Sequence, residues 1–411
     1  MPWAIVFLVV SILLSVHVTW ADDAIVLPQG VFRLSADARF SLPITKRFTP
    51  SGGTEDLAAD FNNRDLNSTA FSDLRLVEAA FHLPAGSDTF GRSVVSFERH
   101  IQIYTLQAAY GLTNRFSLGV RLPYVTQDNR VQAALDNRTA TVGMNPAVPG
   151  GVAPLSVPGT RRPTTEDIQA LLQRLGFKRV QDWSDASFGD LFGGLKYQYY
   201  QSEHWRLAVT GTMRFPTGKA DDPNNLVDNG SGLAAWGLGF QLHQDFVWEP
   251  PDLVRRLRVP TPGAFFLNST FRYEVIFPDE KPLRVCPIHQ PVCPDFDPHT
   301  HRDVGDMLEA EIAGTVGLFP GLAIMPLYTY THKFQDHYDG HLGFNYRMLK
   351  EETDFDSHSV EVRLSYSTVP LFLEKHFPLP LSISMRYTDR LASNNNRWKT
   401  QYLGVLVEAA F

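Results

Sequence analysis

Ionisable side chains recur at alternate positions within apolar stretches: Arg33, Asp37 and Arg39; Arg115 and Arg121; Lys196; Arg206 and Arg214; Arg272 and Glu274; Glu309 and Glu311; Glu361 and Arg363; and Arg386. Both signs at this spacing can pair across neighbouring strands. They suit the wall of a polar lumen, where charged side chains set which ions enter. They do not suit a lipid-facing wall, where an Arg or Lys at mid-bilayer costs ~2–4 kcal/mol. All of them are therefore read as pore-lining candidates.

A second group surrounds the chain's two cysteines, Cys286 and Cys293. His289, His299 and His301 lie nearby with Asp295, Asp297 and Asp303. Two readings stand here. In an oxidising compartment the cysteines close a small Pro-rich loop as a disulfide. Otherwise the His and Asp residues supply metal ligands. The disulfide is preferred, because it removes both thiolates, and no metal or cofactor is expected. A third pair, His358 and Ser359, raises a lipid hydrolase using Ser and His on a lipid-facing wall. Neighbours on a strand face opposite sides, and no Gly-x-Ser-x-Gly elbow appears. The chain is therefore read as a non-enzyme.

The elements that would position these residues are strands. In 32–42, Phe32, Leu34, Ala36, Ala38, Phe40 and Leu42 alternate with Arg33, Ser35, Asp37, Arg39 and Ser41. The same period of two runs through 115–124, 205–215, 265–277, 360–366 and 381–387. Weaker cases are 93–111, 188–200, 232–247, 306–318, 322–333 and 399–411. In 93–111 the apolar parity flips between Ile103 and Tyr104, which is read as a β-bulge. About twelve strands result, many longer than the ~5–6 residues usual in soluble sheets. Membrane strands need ~9–11 residues at a ~45° tilt.

Connections alternate between short (near 111–114, 201–204 and 319–321) and long (near 43–92, 126–187, 217–231, 278–305 and 334–356). Intermediate ones fall at 248–262 and 369–379, and a short final one at 390–398. Short turns on one rim and long loops on the other describe an outer-membrane barrel. An even strand count puts both termini on the periplasmic side. Phe116 and Tyr124, Trp205 and Phe215, and Phe265 and Phe277 bracket strands where interface girdles belong. The last strand ends on Phe411 with Leu403, Val405, Val407 and Ala409 on its parity, which resembles the assembly signal of bacterial outer-membrane proteins. Residues 164–176 read as a capped helix, with Thr164 as N-cap and Gly176 as stop. It either folds over or into the barrel mouth or packs on other loop residues.

Residues 2–21 form an apolar run ending Thr19-Trp20-Ala21, read as a signal peptide cleaved before Asp22. No Lys or Arg precedes the run, so an uncleaved anchor is the rival. Beyond residue 21 no stretch approaches the ~18 apolar residues of a spanning helix. The net charge of −7 disfavours nucleic-acid binding.

The segment Gly111-Leu112-Thr113-Asn114-Arg115-Phe116-Ser117-Leu118-Gly119-Val120-Arg121-Leu122-Pro123 resembles a hairpin of the outer-membrane proteins named for the meta-pathway of phenol degradation. Phe188-Gly189-Asp190-Leu191, Gly194-Leu195-Lys196-Tyr197 and Phe215-Pro216-Thr217-Gly218 are similar to that family too. The resemblance covers roughly 93–247, and the long 126–187 segment and the cysteine loop depart from it. It implies an outer-membrane barrel taking up hydrophobic compounds, with no catalytic residues to carry over.

The expectation is an all-β, antiparallel up-and-down transmembrane barrel over 22–411 in a Gram-negative outer membrane. Its function would be porin-like: passive transport of small, hydrophobic or aromatic molecules through a charged lumen. A structural or adhesion barrel and the membrane-embedded hydrolase are the rivals. Expected partners are outer-membrane lipid and lipopolysaccharide, the barrel-assembly machinery and a small-molecule substrate.

Overall fold

The computed structural model describes residues 23–248, 265–287, 292 and 294–411. The expected leader at 1–21, together with His289 and Cys293, lies outside the described residues. Among the described residues no helix is long and apolar enough to cross a membrane.

Twelve antiparallel strands close into a barrel. They are β1 (Phe32–Ser41), β2 (Thr89–Thr113), β3 (Phe116–Asp136), β4 (Leu191–Gln201), β5 (Trp205–Phe215), β6 (Gly237–Trp248), β7 (Phe265–Ile276), β8 (Met307–Phe319), β9 (Leu322–Lys333), β10 (Phe355–Ser367), β11 (Leu381–Ser393) and β12 (Gln401–Ala410). Each pairs with its sequence neighbours, and β1 pairs with both β2 and β12. The seam is locked at its end: Phe411 N–H donates to Phe32 O at 2.8 Å, and Phe32 N–H donates to Phe411 O at 3.0 Å. Closure leaves no unpaired edge, which is what lets strands cross a hydrocarbon layer.

The turns at 114–115, 202–204 and 320–321 share one rim with both ends of the barrel, and the long connections share the other. Side chains sort by parity. Leu118, Val120, Leu242, Leu364, Met385 and Val405 face outward and are exposed. Aromatics edge this belt on both sides. Toward the periplasm, Phe116 stacks on Tyr197 at 4.4 Å and Trp205 packs on Phe246 at 5.0 Å. At the other edge, Phe40 meets Tyr104 at 6.0 Å and Tyr124 meets Phe188 at 5.2 Å. A closed barrel with this belt sits in the bacterial outer membrane.

Strands β2 and β3 run well past the upper girdle, so 89–92 and 126–136 are strand where loop was expected. The β-bulge expected between Ile103 and Tyr104 is absent. Pairing runs unbroken through Ile103↔Val125 and Tyr104↔Tyr124, and the register shifts only between Gly111 and Thr113. The apolar parity flips because the surroundings change. Above Tyr104 the outward residues are Ser96, Glu98, His100 and Gln102, which face water. The inward ones include Val95, Phe97 and Ile101, which face packed loops. Phe97, for example, lies 5.3 Å from Phe61 of the first long loop.

Those loops form a cap with its own core. Helix α1 (Leu74–Ala80) and helix α2 (Thr165–Arg174) contribute Leu74, Ile168 and Leu172 to a cluster with Phe71, Phe90, Val142 and Phe177. Helix α2 starts where expected. Thr164 Oγ1 accepts from the Asp167 N–H, and the Asp167 carboxylate accepts from the Thr164 N–H, a reciprocal capping box. Gly176, at φ +85°, provides the left-handed stop. The helix packs on loop residues in the cap, the second of its two expected placements.

Candidate functional site

The inward parity of the strands encloses a cavity of about 770 Å³. Its wall carries Arg33, Asp37, Arg39, Arg121, Lys196, Arg214, Arg272, Glu274, Glu309, Glu311, Glu361, Arg363 and Arg386. Two of the candidates sit elsewhere. Arg115 is exposed in the 114–115 turn, one residue short of β3, so strand parity does not apply to it. Arg206 is on β5 near the periplasmic rim, half-buried and outside the cavity wall.

The charges are paired, some across strands and some between positions i and i+2 of one strand. Arg386 binds Asp37, and Arg39 Nε reaches the same carboxylate at 3.2 Å. Arg363 binds Glu361 at 2.7 Å, and Arg272 binds Glu309. Arg214 bridges Glu274 at 2.7 Å and Asp190 at 3.3 Å. Thr388 Oγ1 donates to Glu361 at 2.9 Å, and Ser35 Oγ donates to Glu408 at 3.1 Å. Phe192 is an aromatic on this polar wall. The guanidinium of Arg121 lies 4.3 Å from its ring centre and that of Arg214 lies 4.7 Å away. The three are cross-strand neighbours on β3, β4 and β5. The weak alternation of 188–200 hid Phe192, because Gly193 and Gly194 interrupt it.

Both mouths are crossed by chain. At the periplasmic end, residues 23–31 run under the lumen. Ala24 N–H donates to both oxygens of Asp245, at 3.0 and 2.9 Å. Lys196 Nζ donates to Asp23 O at 2.6 Å, and Gln198 Nε2 donates to Ala24 O at 2.8 Å. Leu27 N–H donates to Ser117 Oγ at 2.7 Å. Asp245 is 1% exposed, and a buried carboxylate needs such donors; Asn268 supplies another at 2.8 Å. A Cβ on Gly111 would lie 1.9 Å from Pro28 O, so only glycine lets the segment pass. No periodic signal marks 23–31, and the sequence reading missed its role.

At the outer end, the 216–236 connection folds inward. Gln127 Nε2 donates to Asn229 O at 3.1 Å and Gly230 O at 3.2 Å, and Asn129 Nδ2 donates to Val227 O. Asp190 accepts from Gly218 N–H at 2.9 Å and Leu233 N–H at 2.8 Å. Arg302 Nη2, ahead of β8, donates to Leu233 O at 2.9 Å, so the loop spans the mouth from β3 to that side. Burial raises the Asp221 carboxyl pKa. Burial also pushes the Asp228 carboxyl up to about 6, with Asp221 and Asp222 adding repulsion and Lys219 opposing.

Among the described residues the remaining candidates do not assemble into a site. His358 Nδ1 lies 2.6 Å from Tyr328 OH on the outer wall, whereas Ser359 lines the lumen. Among the described residues no group of three His, Cys, Asp or Glu side chains is placed to hold a metal ion. Asp297 accepts instead from the Tyr346 hydroxyl.

No family model and no curated protein sequence matches this chain. Solved structures do. An outer-membrane channel from Pseudomonas putida F1 is 13% identical, with 95% of this chain and 99% of that chain covered and a TM-score of 0.49. The beta domain of the Bordetella autotransporter BrkA is 8% identical over 93% of this chain and all (100%) of its own, at a TM-score of 0.36. A monoaromatic hydrocarbon channel, CymD, is 9% identical over 93% of this chain and 89% of its own, at 0.33.

Proposed function

We propose that this barrel passes small molecules passively across the outer membrane, through its charged lumen, when the crossing segments move aside. The observation that carries this reading is the cavity of about 770 Å³ at membrane height. An eight-stranded barrel is filled by its own side chains, whereas twelve strands enclose more space than side chains fill. A purely structural or adhesion barrel has no need of that space. The hydrolase rival lacks a paired nucleophile and base.

Residues resembling the phenol meta-pathway outer-membrane family make small aromatic compounds the first substrates to try. Arg121 and Arg214, stacked on Phe192, offer such a compound planar cations for its ring face. In this reading the belt faces lipid and lipopolysaccharide, and the strand ending at Phe411 carries the assembly signal. Residues 1–21 are removed on export. Cys286 and Cys293 form an oxidised pair, to be read by alkylation with and without reductant. Liposome swelling with graded neutral and aromatic solutes tests the function. Neutralising Arg121 and Arg214 together should move ion selectivity severalfold toward cations, and unchanged selectivity would remove the lumen from the path.

A further inference from the structure

A second cavity, of about 370 Å³, opens inside the cap above the membrane. We propose that it is a binding site for one small, uncharged, apolar molecule. This goes beyond the channel reading and stands on different residues.

Its walls are Phe61, Phe71, Ala133, Ile168, Leu172 and Val180, with further apolar side chains around them. Ala133 comes from the projecting part of β3, whose inward face is apolar from Val131 to Leu135. Ile168 and Leu172 lie one turn apart on α2, which its capping box and Gly176 hold at both ends. Rigid elements therefore line the space, and they do not collapse into it. An empty apolar cavity forgoes dispersion contacts that a matching ligand restores. Small-molecule pockets measure roughly 300–1,000 Å³, and a dry apolar cavity of about 150 Å³ already takes benzene. The cavity here therefore has room for a ligand of two fused rings.

The polar lining says what the ligand lacks. Gln169 spends both ends of its amide on Val180, donating to its carbonyl at 3.0 Å and accepting from its N–H at 3.0 Å. Ser93 Oγ donates to Phe61 O at 2.5 Å and accepts from Arg64 N–H at 3.0 Å. Thr165 Oγ1 accepts from Leu135 N–H at 3.1 Å. Among the described residues, none of the buried side-chain atoms left without a hydrogen-bond partner belongs to the lining. Asp60 and Asp65 border the space, and Arg64 lies 3.7 Å from Asp60. A carboxylate ligand would meet the acidic Asp60 and Asp65, and the cation on the wall, Arg64, already faces Asp60. An uncharged hydrocarbon loses nothing on entry.

The test uses the full-length barrel in lipid nanodiscs and equilibrium dialysis of radiolabelled naphthalene against empty nanodiscs. The expected result is one saturable site per barrel, not competed by 2-naphthoate. Ala133→Phe, which fills the cavity from the β3 wall, should weaken binding at least tenfold. So should Leu172→Trp, which fills it from α2, off the barrel wall. Heat-modifiable gel migration checks that each variant is assembled. Saturable binding unchanged in the assembled variants would overturn the proposal, as would equal competition by naphthoate. Potassium chloride conductance of the same preparations reads the lumen separately. Site-specific binding without conductance sinks only the channel reading, and conductance without saturable binding sinks only this one.

Discussion

Strand β2 carries one pattern at membrane height and its inverse above it, and the inward face of β3 turns apolar from Val131 upward. Between Phe116 and Tyr124 the outward side chains are Leu118, Val120 and Leu122, and the inward ones include Ser117 and Arg121. Between Thr126 and Gln132 the outward side chains are polar; the inward Gln127 and Asn129 hold the outer crossing, and from Val131 through Ala133 to Leu135 the inward face is apolar. No residue is inserted between the two regions. An apolar face on a strand therefore reports what that face touches, lipid in one region and packed loops in the other. It does not by itself report inside or outside.

The largest way to break this comparison is to reverse the polarity of one outward side chain in each region. Val120→Arg puts a cation at mid-belt and should cost ~2–4 kcal/mol. Heat-modifiable barrel should be scarce in outer-membrane fractions. Asp128→Leu, on the same face of the same strand above the girdle, should alter stability by only about 0.5 kcal/mol. Equal losses would erase the boundary at Tyr104 and Tyr124.

Next in size is the seam against the periplasmic crossing. Phe411 exchanges two backbone hydrogen bonds with Phe32, so deleting it should lower assembled barrel severalfold. Deleting Asp22 and Asp23 leaves the strands intact and should change assembly by less than twofold, as quantified by blotting of membrane fractions. Normal assembly without Phe411 would show that the closing pair carries no weight.

The smallest effect concerns pH at the outer crossing. The seated loop holds Asp228 with its pKa at about 6, above the ~3.9 of a free aspartate. The seated state therefore binds the proton more tightly. Its stability is gained as pH falls from about 6 toward 4 and lost as pH rises through 6. Asp221, also raised by burial, acts in the same direction. Open time in single-channel records should thus fall severalfold from pH 7.5 to pH 5. Asp228→Asn should show short openings at both pH values, and a wild-type record flat across this range would detach the loop from gating.

Much of the barrel was legible because its wall obeys a single local rule. Alternation in 32–42, 205–215 and 381–387 follows from lipid on one side and polar lumen on the other, whatever the distant contacts. The two-rim rule followed from connection lengths alone. The charged wall was legible by elimination, since Arg214 or Glu361 has no other stable direction. Arg115 misled because it lies in a turn. The crossings were not legible. Residues 23–31 and 216–236 are held by Asp245, Lys196 and Gln127 from distant strands and by Asp190 just ahead of β4, and no local period encodes such contacts. The cap core escaped for the same reason: Phe71 and Val142 come from separate loops, Phe90 from the top of β2, and they meet only in three dimensions.

Planar-bilayer recording tests the central claim most directly, comparing the wild-type barrel with one lacking residues 23–27 and with the 216–236 connection shortened. The account predicts brief, small openings in the wild type and a steady conductance at least severalfold larger once both crossings are removed. An assembled variant as impermeable as bare lipid would contradict it and leave a barrel whose lumen carries nothing.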